Sequence, residues 1–212
     1  MPSKLSLYNG ALKVLGERKL ASLTENREPR YELDDVYDNE MIDRVLQQGQ
    51  WNFAARTAEL SASLTISPEF GYQYAFAKGD DFIRTMGIWS DALKKQPLTD
   101  YEDEAKTWFA ALDVIYVSYV SNDSQFGGDF SLWPANFTEY VEHYLAYKVA
   151  PRLTGLDSDS TILEGKVKRR LKDARATDAM ESPSKKAPRG SWSMSRHGYR
   201  SGDRGNRNQL IG

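Results

Sequence analysis

The sequence predicts an α+β fold in which two helical segments flank a small antiparallel β-sheet. Apolar residues recur at three- and four-residue spacing over 1–55 and again over 122–180, which is typical of amphipathic helices. Over 56–121 the pattern changes to alternation of apolar and polar residues, which predicts strands. Pro, Gly, Ser and Arg dominate residues 181–212, so an extended C-terminal arm is expected there. The helices are expected to form a four-helix bundle with the sheet inserted between its halves.

A first helix is predicted near the N-terminus. Its apolar residues are Leu5, Tyr8, Ala11, Leu12 and Leu15. Ser3 stands where an N-cap would accept a backbone hydrogen bond, and Gly16 stands where a helix can end in a left-handed conformation.

The longest apolar stripe predicts a second helix of about five turns. It consists of Leu33, Val36, Tyr37, Met41, Ile42, Val45 and Leu46. Pro29 is expected in the first turn, where its missing N–H costs little, and Gly49 is expected to end the helix. The aromatic residues Trp51 and Phe53 follow directly. We expect the rest of the chain to pack against this stripe.

The middle of the chain predicts five strands. Alternating Ala58, Leu60, Ala62 and Leu64 indicate the first, and alternating Tyr72, Tyr74 and Phe76 the second. Further strands are expected over 82–89, 104–109 and 114–120, the last being rich in β-branched and aromatic residues.

Two more helices are expected after the β region. Trp133 and Pro134 precede the third, whose apolar face is Phe137, Tyr140, Val141, Tyr144 and Leu145, and Pro151 is expected to end it. Ser158 or Asp159 could cap the fourth, whose stripe is Leu163, Val167, Leu171 and Ala174. The other faces of this fourth helix are basic. Lys166, Arg169, Arg170 and Lys172 are therefore candidates for a subunit interface, with an ordinary solvated face as the alternative.

The charge is unevenly distributed along the chain. The net charge is −2, but residues 181–212 carry seven Lys or Arg against two acidic residues, while the other 180 residues carry 21 basic and 28 acidic residues. Large apolar residues are spaced along this basic arm. We therefore interpret it as a segment that becomes ordered on an acidic partner, with simple disorder as the alternative. The binding candidates are Arg189, Trp192, Met194, Arg196, Tyr199, Arg200, Leu210 and Ile211.

The sequence offers little for catalysis. It contains no Cys and two His, so thiolate chemistry and a Cys/His zinc site are not expected. No phosphate-binding glycine loop, GxSxG or HExxH motif occurs, and no cofactor is predicted. Sequence spacing alone leaves open a pair of carboxylates acting as acid and base. No apolar run reaches the roughly 18 residues of a membrane span, and Met1-Pro2-Ser3-Lys4 lacks the apolar run of a signal peptide.

Several stretches resemble one known family. They are "ALKVLGERKLASLTE", "VLQQGQWNFA", "YQYAFAKGDDFIRTMGI", "FTEYVEHYLAYKVAPRLTG" and "ARATDAMES". In this order they resemble the head-to-tail adaptors of short-tailed bacteriophages, also called the tail tubular protein A family. The resemblance covers about residues 5–182, and the most specific parts are Trp51–Ala54 and Tyr72–Arg84. The family usually has Pro where this chain has Gly79.

The resemblance implies a non-enzymatic virion protein at the head–tail junction, made in the host cytoplasm. Such adaptors form a twelve-subunit ring beneath the portal, extend the DNA channel without binding DNA specifically, and join the tail nozzle, tail tubular protein B. In some members tail fibres or spikes attach at the rim, and C-terminal arms commonly reach the portal. Two alternatives stay open at this point. One is a tail-associated, lysozyme-like peptidoglycan hydrolase, and the other is a nucleic-acid-binding protein that uses the basic arm.

Overall fold

One central helix organises the helical part of the molecule. The computed structural model describes residues 2–39, 41–66, 68–154 and 157–182, without the side chains of 157–160. Its helices are α1 (Lys4–Leu15), α2 (Glu28–Asp38), α3 (Met41–Leu46), α4 (Ala135–Leu153) and α5 (Asp157–Glu181). Helices α1, α2 and α5 all pack against α4. The α+β class is confirmed, whereas the described residues contain five α-helices instead of the expected four.

The fifth helix arises because the predicted long helix is divided into α2 and α3. Helix α2 ends at Asn39, whose φ of −82° and ψ of 52° are not helical. The Asn39 amide nitrogen Nδ2 and its backbone N–H both donate to the carbonyl of Asp35, at 2.8 and 3.1 Å. Asn competes in this way with the backbone for local hydrogen bonds. The apolar stripe itself is correct, since all seven residues lie in or against one hydrophobic core.

The helix ends were predicted with mixed success. Ser3 caps α1 by accepting from the Ser6 N–H at 3.2 Å, and Gly16 ends it with a φ of 77°. The expectation that Pro151 ends α4 is wrong, because the helix continues to Leu153. A proline in the last turn removes only one helical hydrogen bond, and Thr154 still donates to the Ala150 carbonyl at 2.8 Å. Ser158 and Asp159 are not caps either, since α5 begins at Asp157.

The β region consists of two antiparallel sheets instead of one. Its strands are β1 (Ala55–Ser61), β2 (Tyr74–Ala77), β3 (Phe82–Trp89), β4 (Tyr101–Glu104), β5 (Thr107–Ala110) and β6 (Val114–Ser121). The first sheet has the order β1-β6-β3, and the second has the order β2-β5-β4. The strand predicted over 104–109 is wrong at its start, because that range includes the end of β4 and a turn before β5 begins. Residues 105 and 106 form the turn between β4 and β5, and Ala105 has a φ of 29°.

Strand β1 also differs from its prediction at the far end. It stops at Ser61, and Leu64, which was expected to alternate inward, is fully exposed. The connection from β1 to β2 carries a second exposed apolar residue, Phe70. The alternation of apolar and polar residues beyond Ser61 therefore does not indicate which side chains are buried.

Two hydrophobic cores correspond to the two kinds of structure. The helical core includes residues of α1 to α5 and also Val120 at the end of β6. The smaller core lies among the strands and includes Phe76, Ile88, Trp108 and Ile115. Gly127 lies where the parts meet, and a Cβ there would approach the Ser121 carbonyl to 2.5 Å and Leu46 to 2.7 Å. Only glycine fits so close to another backbone without displacing it.

Candidate functional site

Helix α5 presents a basic face to solvent. Leu163 and Ala174 are buried, and Val167 and Leu171 pack against the helical core. This stripe lies on the side facing α4, as predicted from the spacing. The opposite side is occupied by exposed Lys166, Lys168, Arg169 and Lys172.

The basic residues of α5 differ in whether the chain itself neutralises them. Arg170 lies 2.8 Å from the Glu139 carboxylate of α4, and Lys168 lies 2.6 Å from Glu164 one turn earlier. Within the described part of the chain, Lys166, Arg169 and Lys172 have no ion-pair partner. Of the four predicted interface residues, Arg170 is thus occupied between α4 and α5, and the other three remain available.

Helix α2 has an acidic outer face on the side away from its apolar stripe. Glu28, Asp35 and Asp38 are exposed, together with Tyr31, whose exposed fraction is 51%. Their spacing of three, four and three residues places them along one side of the helix. This spacing was readable in the sequence but was hidden by the stronger apolar stripe on the other side.

The inner acid of α2, Asp34, is neutralised within the chain. Its carboxylate accepts a hydrogen bond from the Tyr8 hydroxyl at 2.8 Å, and it pairs with Arg30 at 2.7 Å and Lys4 at 3.2 Å. Burial of Asp34 opposes ionisation, but these three partners outweigh it and hold its pKa below the usual range. Asp34 therefore fastens α2 to α1, while the outer acids are left for other contacts.

A small aromatic crevice lies where α5 meets the start of α4. It is lined by Trp51, Phe53, Pro134, Asn136, Phe137, Ala174, Thr177, Asp178 and Glu181. The Asp178 carboxylate, which is buried, accepts from the Asn52 backbone N–H at 2.9 Å. Burial raises the pKa of Asp178, and this hydrogen bond offsets only part of the effect. A buried acid beside aromatic rings is the feature that a sugar-cleaving site would require.

The predicted portal-binding arm lies outside the described residues. Its residues are Arg189, Trp192, Met194, Arg196, Tyr199, Arg200, Leu210 and Ile211. Their predicted role therefore stays a prediction.

The described residues contain no group of three or more His, Cys, Asp or Glu that is placed to hold a metal ion. In the same residues, no helix combines the length and apolar character needed to cross a membrane.

Comparison with known proteins assigns the chain to no family, so any function must be argued from its own residues. No protein-family model matches the chain, and no curated protein matches it either.

Proposed function

We propose that this protein is a non-enzymatic virion adaptor that forms a ring under the portal and joins it to the tail nozzle. The structural feature that supports the proposal is the pair of outward-facing helix surfaces of opposite charge, on α2 and α5. Chains with two different complementary surfaces associate head to tail, and such contacts close into rings when the rotation allows it. The sequence resemblance described above supplies the biological setting.

The charge distribution agrees with a channel role. The first 180 residues are acidic as a whole, and a wall of like charge would keep DNA from adhering while it passes. The arm has the opposite charge and carries Trp192 and Tyr199 as aromatic anchors, which is typical of segments that fold on a partner. We therefore assign the arm to the portal and the helical half to contacts between subunits.

The test is the mass of the purified full-length protein, alone and mixed with its cognate portal ring. The proposal predicts a stable complex with a fixed number of copies per portal, twelve if the resemblance holds. A variant ending at Ser182 should keep the far-ultraviolet circular dichroism of the helices and lose portal binding. A full-length protein that never joins the portal ring would overturn the proposal, and unchanged binding by the shortened variant would overturn the role of the arm.

Peptidoglycan hydrolysis is the second candidate, because Asp178 is a buried acid with a raised pKa next to Glu181 and aromatic rings. The hydrogen bond from Asn52 gives Asp178 a structural role that explains its burial equally well. A zymogram on purified peptidoglycan decides between the two. Clearing by the wild-type chain that is lost in Asp178→Asn and in Glu181→Gln would favour the hydrolase, and no clearing would remove it.

A further inference from the structure

The exposed charges on α2 and α5 are opposite in sign. Helix α5 offers Lys166, Arg169 and Lys172, all exposed and without an ion-pair partner among the residues the structure describes. The acidic side of α2 carries exposed Glu28, Asp35 and Asp38. Asp38 lies 3.5 Å from Lys4, whereas Glu28 and Asp35 have no ion-pair partner in the described part of the chain.

The two charged faces also match in length. Lys166 to Lys172 covers about 9 Å along the axis of α5, and Glu28 to Asp35 covers about 11 Å along α2, at 1.5 Å per residue. Two helices laid side by side can therefore bring the three cations of α5 within reach of Glu28 and Asp35. Exposed Tyr31 lies between the acids, and exposed Ile162 lies one turn before Lys166, so each face also offers an apolar residue.

These faces belong to opposite flanks of the same central helix. Helix α5 contacts α4 through Glu139, which pairs with Arg170, whereas α2 contacts it through Arg152, which lies 3.7 Å from Glu32. Positions 139 and 152 are separated by about 140° around an α-helix. Among the described residues no ion pair joins the basic face of α5 to the acidic face of α2 in the same chain, so a second copy is the partner that can bring the two together.

We propose that the basic face of α5 in one copy docks on the acidic face of α2 in the next copy, with Arg169 opposite Asp35 at the centre. The contact is heterologous, since each copy contributes a different face, and it repeats from copy to copy. This inference rests on the proposed ring and deepens it by naming the two surfaces that meet.

The main rival acidic surface is the edge strand β4, with exposed Glu102 and Glu104. Their neighbour Asp103 is already paired with Lys78 and accepts from Thr85. Two acids two residues apart on a strand lie about 7 Å apart along it, a distance shorter than the length of the basic face. Helix α2 therefore matches the length of the basic face better than β4 does.

The absence of Cys from the chain allows a direct test by cross-linking. Full-length Arg169→Cys and Asp35→Cys proteins are mixed and treated with a short bismaleimide, because the Cα atoms of an Arg–Asp pair lie farther apart than a disulfide permits. The matched control replaces Asp35→Cys with Glu102→Cys on the rival acidic surface. The proposal predicts a covalent dimer from the first mixture at a yield about tenfold above the control and above either variant alone. Equal yields, or a higher yield with Glu102→Cys, would overturn it.

A charge exchange supplies an independent measurement. Arg169→Glu and Asp35→Arg should each weaken self-association by about tenfold, since each places like charges opposite one another. Mixing the two variants should restore association to the wild-type level. In an alternating assembly, the new Glu of the first variant meets the new Arg of the second, and Arg169 of the second meets Asp35 of the first, so every contact joins opposite charges. No weakening, or no recovery on mixing, would overturn the interface.

The outcomes separate this inference from the proposed function. A wild-type ring on the portal together with cross-links equal to the control would leave the adaptor standing and remove the α2–α5 contact. A specific cross-link without any portal complex would support the contact and remove the adaptor.

Discussion

The helical half and the β region are stabilised in different ways. In the helical half, rings pack edge to face around α4, with Phe137 4.8 Å from Trp51 and 4.9 Å from Trp133 between ring centres. In the β region, charged groups lie inside or beside a smaller core. The Lys78 side chain, 4% exposed, pairs with Asp103 and lies 4.7 Å from the Phe82 ring centre. Apolar burial dominates the first region, and the second depends on a few polar contacts.

The polar contacts of the β region join strands that the backbone does not pair. Asp103 on β4 accepts from Thr85 on β3 at 2.7 Å and from the Trp108 indole at 3.2 Å. Because β3 and β4 belong to different sheets, Asp103 links the two sheets. Asp81, which directly precedes β3, makes polar contacts within the first sheet, since it accepts from Arg56 on β1 at 2.9 Å and also from Ser121 at the end of β6. The small core of the β region should therefore lose less stability than the helical core when an aromatic ring is removed.

The largest expected effect comes from the same substitution made in each region. Phe137→Ala removes a fully buried ring with four aromatic neighbours and should lower the free energy of unfolding by about 3–5 kcal/mol. Phe82→Ala removes a half-buried ring, so we expect a smaller loss of about 1–3 kcal/mol. Urea denaturation of the two variants measures the difference. Equal losses would contradict the comparison.

The next effect concerns the link between the sheets. Asp103→Asn leaves the buried Lys78 ammonium without its carboxylate, and we expect a loss of about 1–3 kcal/mol, reduced by the partial exposure of Asp103. Hydrogen exchange should speed up in β3 and β4 more than in α4. Glu104→Gln, which changes an exposed acid on the same strand, is the control and should stay within about 0.5 kcal/mol of wild type. Similar losses in both variants would argue against the link.

The smallest effect is a difference in acid response. Asp81 and Asp103 are partly buried, but their hydrogen bonds and the cations Arg56 and Lys78 hold the pKa of each below its usual range. Their stabilisation is present above the ordinary aspartate pKa of about 4 and is lost as the pH falls through the lower folded value. Burial raises the pKa of Asp178 and Glu142 in the helical half. The contribution of these two groups to the stability of the fold is greatest in acid, and it is lost as the pH rises through the pKa that each has in the folded protein.

Acid should therefore loosen the β region before the helical half, although Asp34 offsets part of the difference because its pKa is also lowered. Hydrogen exchange of the strands and of α4, compared at pH 5 and below the ordinary aspartate pKa of about 4, measures this order. Asp103→Asn should remove much of the acid sensitivity of β3 and β4. Simultaneous opening of both regions at the same pH would count against two separately stabilised parts.

Local signals in the sequence determined where helices begin and which side of each is buried. Ser3 and Gly16 bound α1 as predicted, and Leu163 and Ala174 face the core from α5. These features depend on residues within a few positions of one another, through caps and through helical period. The basic face of α5 was predicted from the helical period as well. Once the apolar stripe is assigned to one side of the helix, the basic residues lie on the other sides.

Long-range contacts decided the rest. The pairing of β2 with β5 in a second sheet and the exposure of Leu64 depend on distant partners that no local pattern records. The same holds for the candidate interface. The sequence grouped Arg170 with Lys166, Arg169 and Lys172. Only the packing of α5 on α4 placed Glu139 beside Arg170 and left the other three cations without an ion-pair partner among the described residues. Charge is a property of the residue, but whether it is neutralised is a property of the fold, because ion pairs form between whichever side chains tertiary packing brings within about 4 Å.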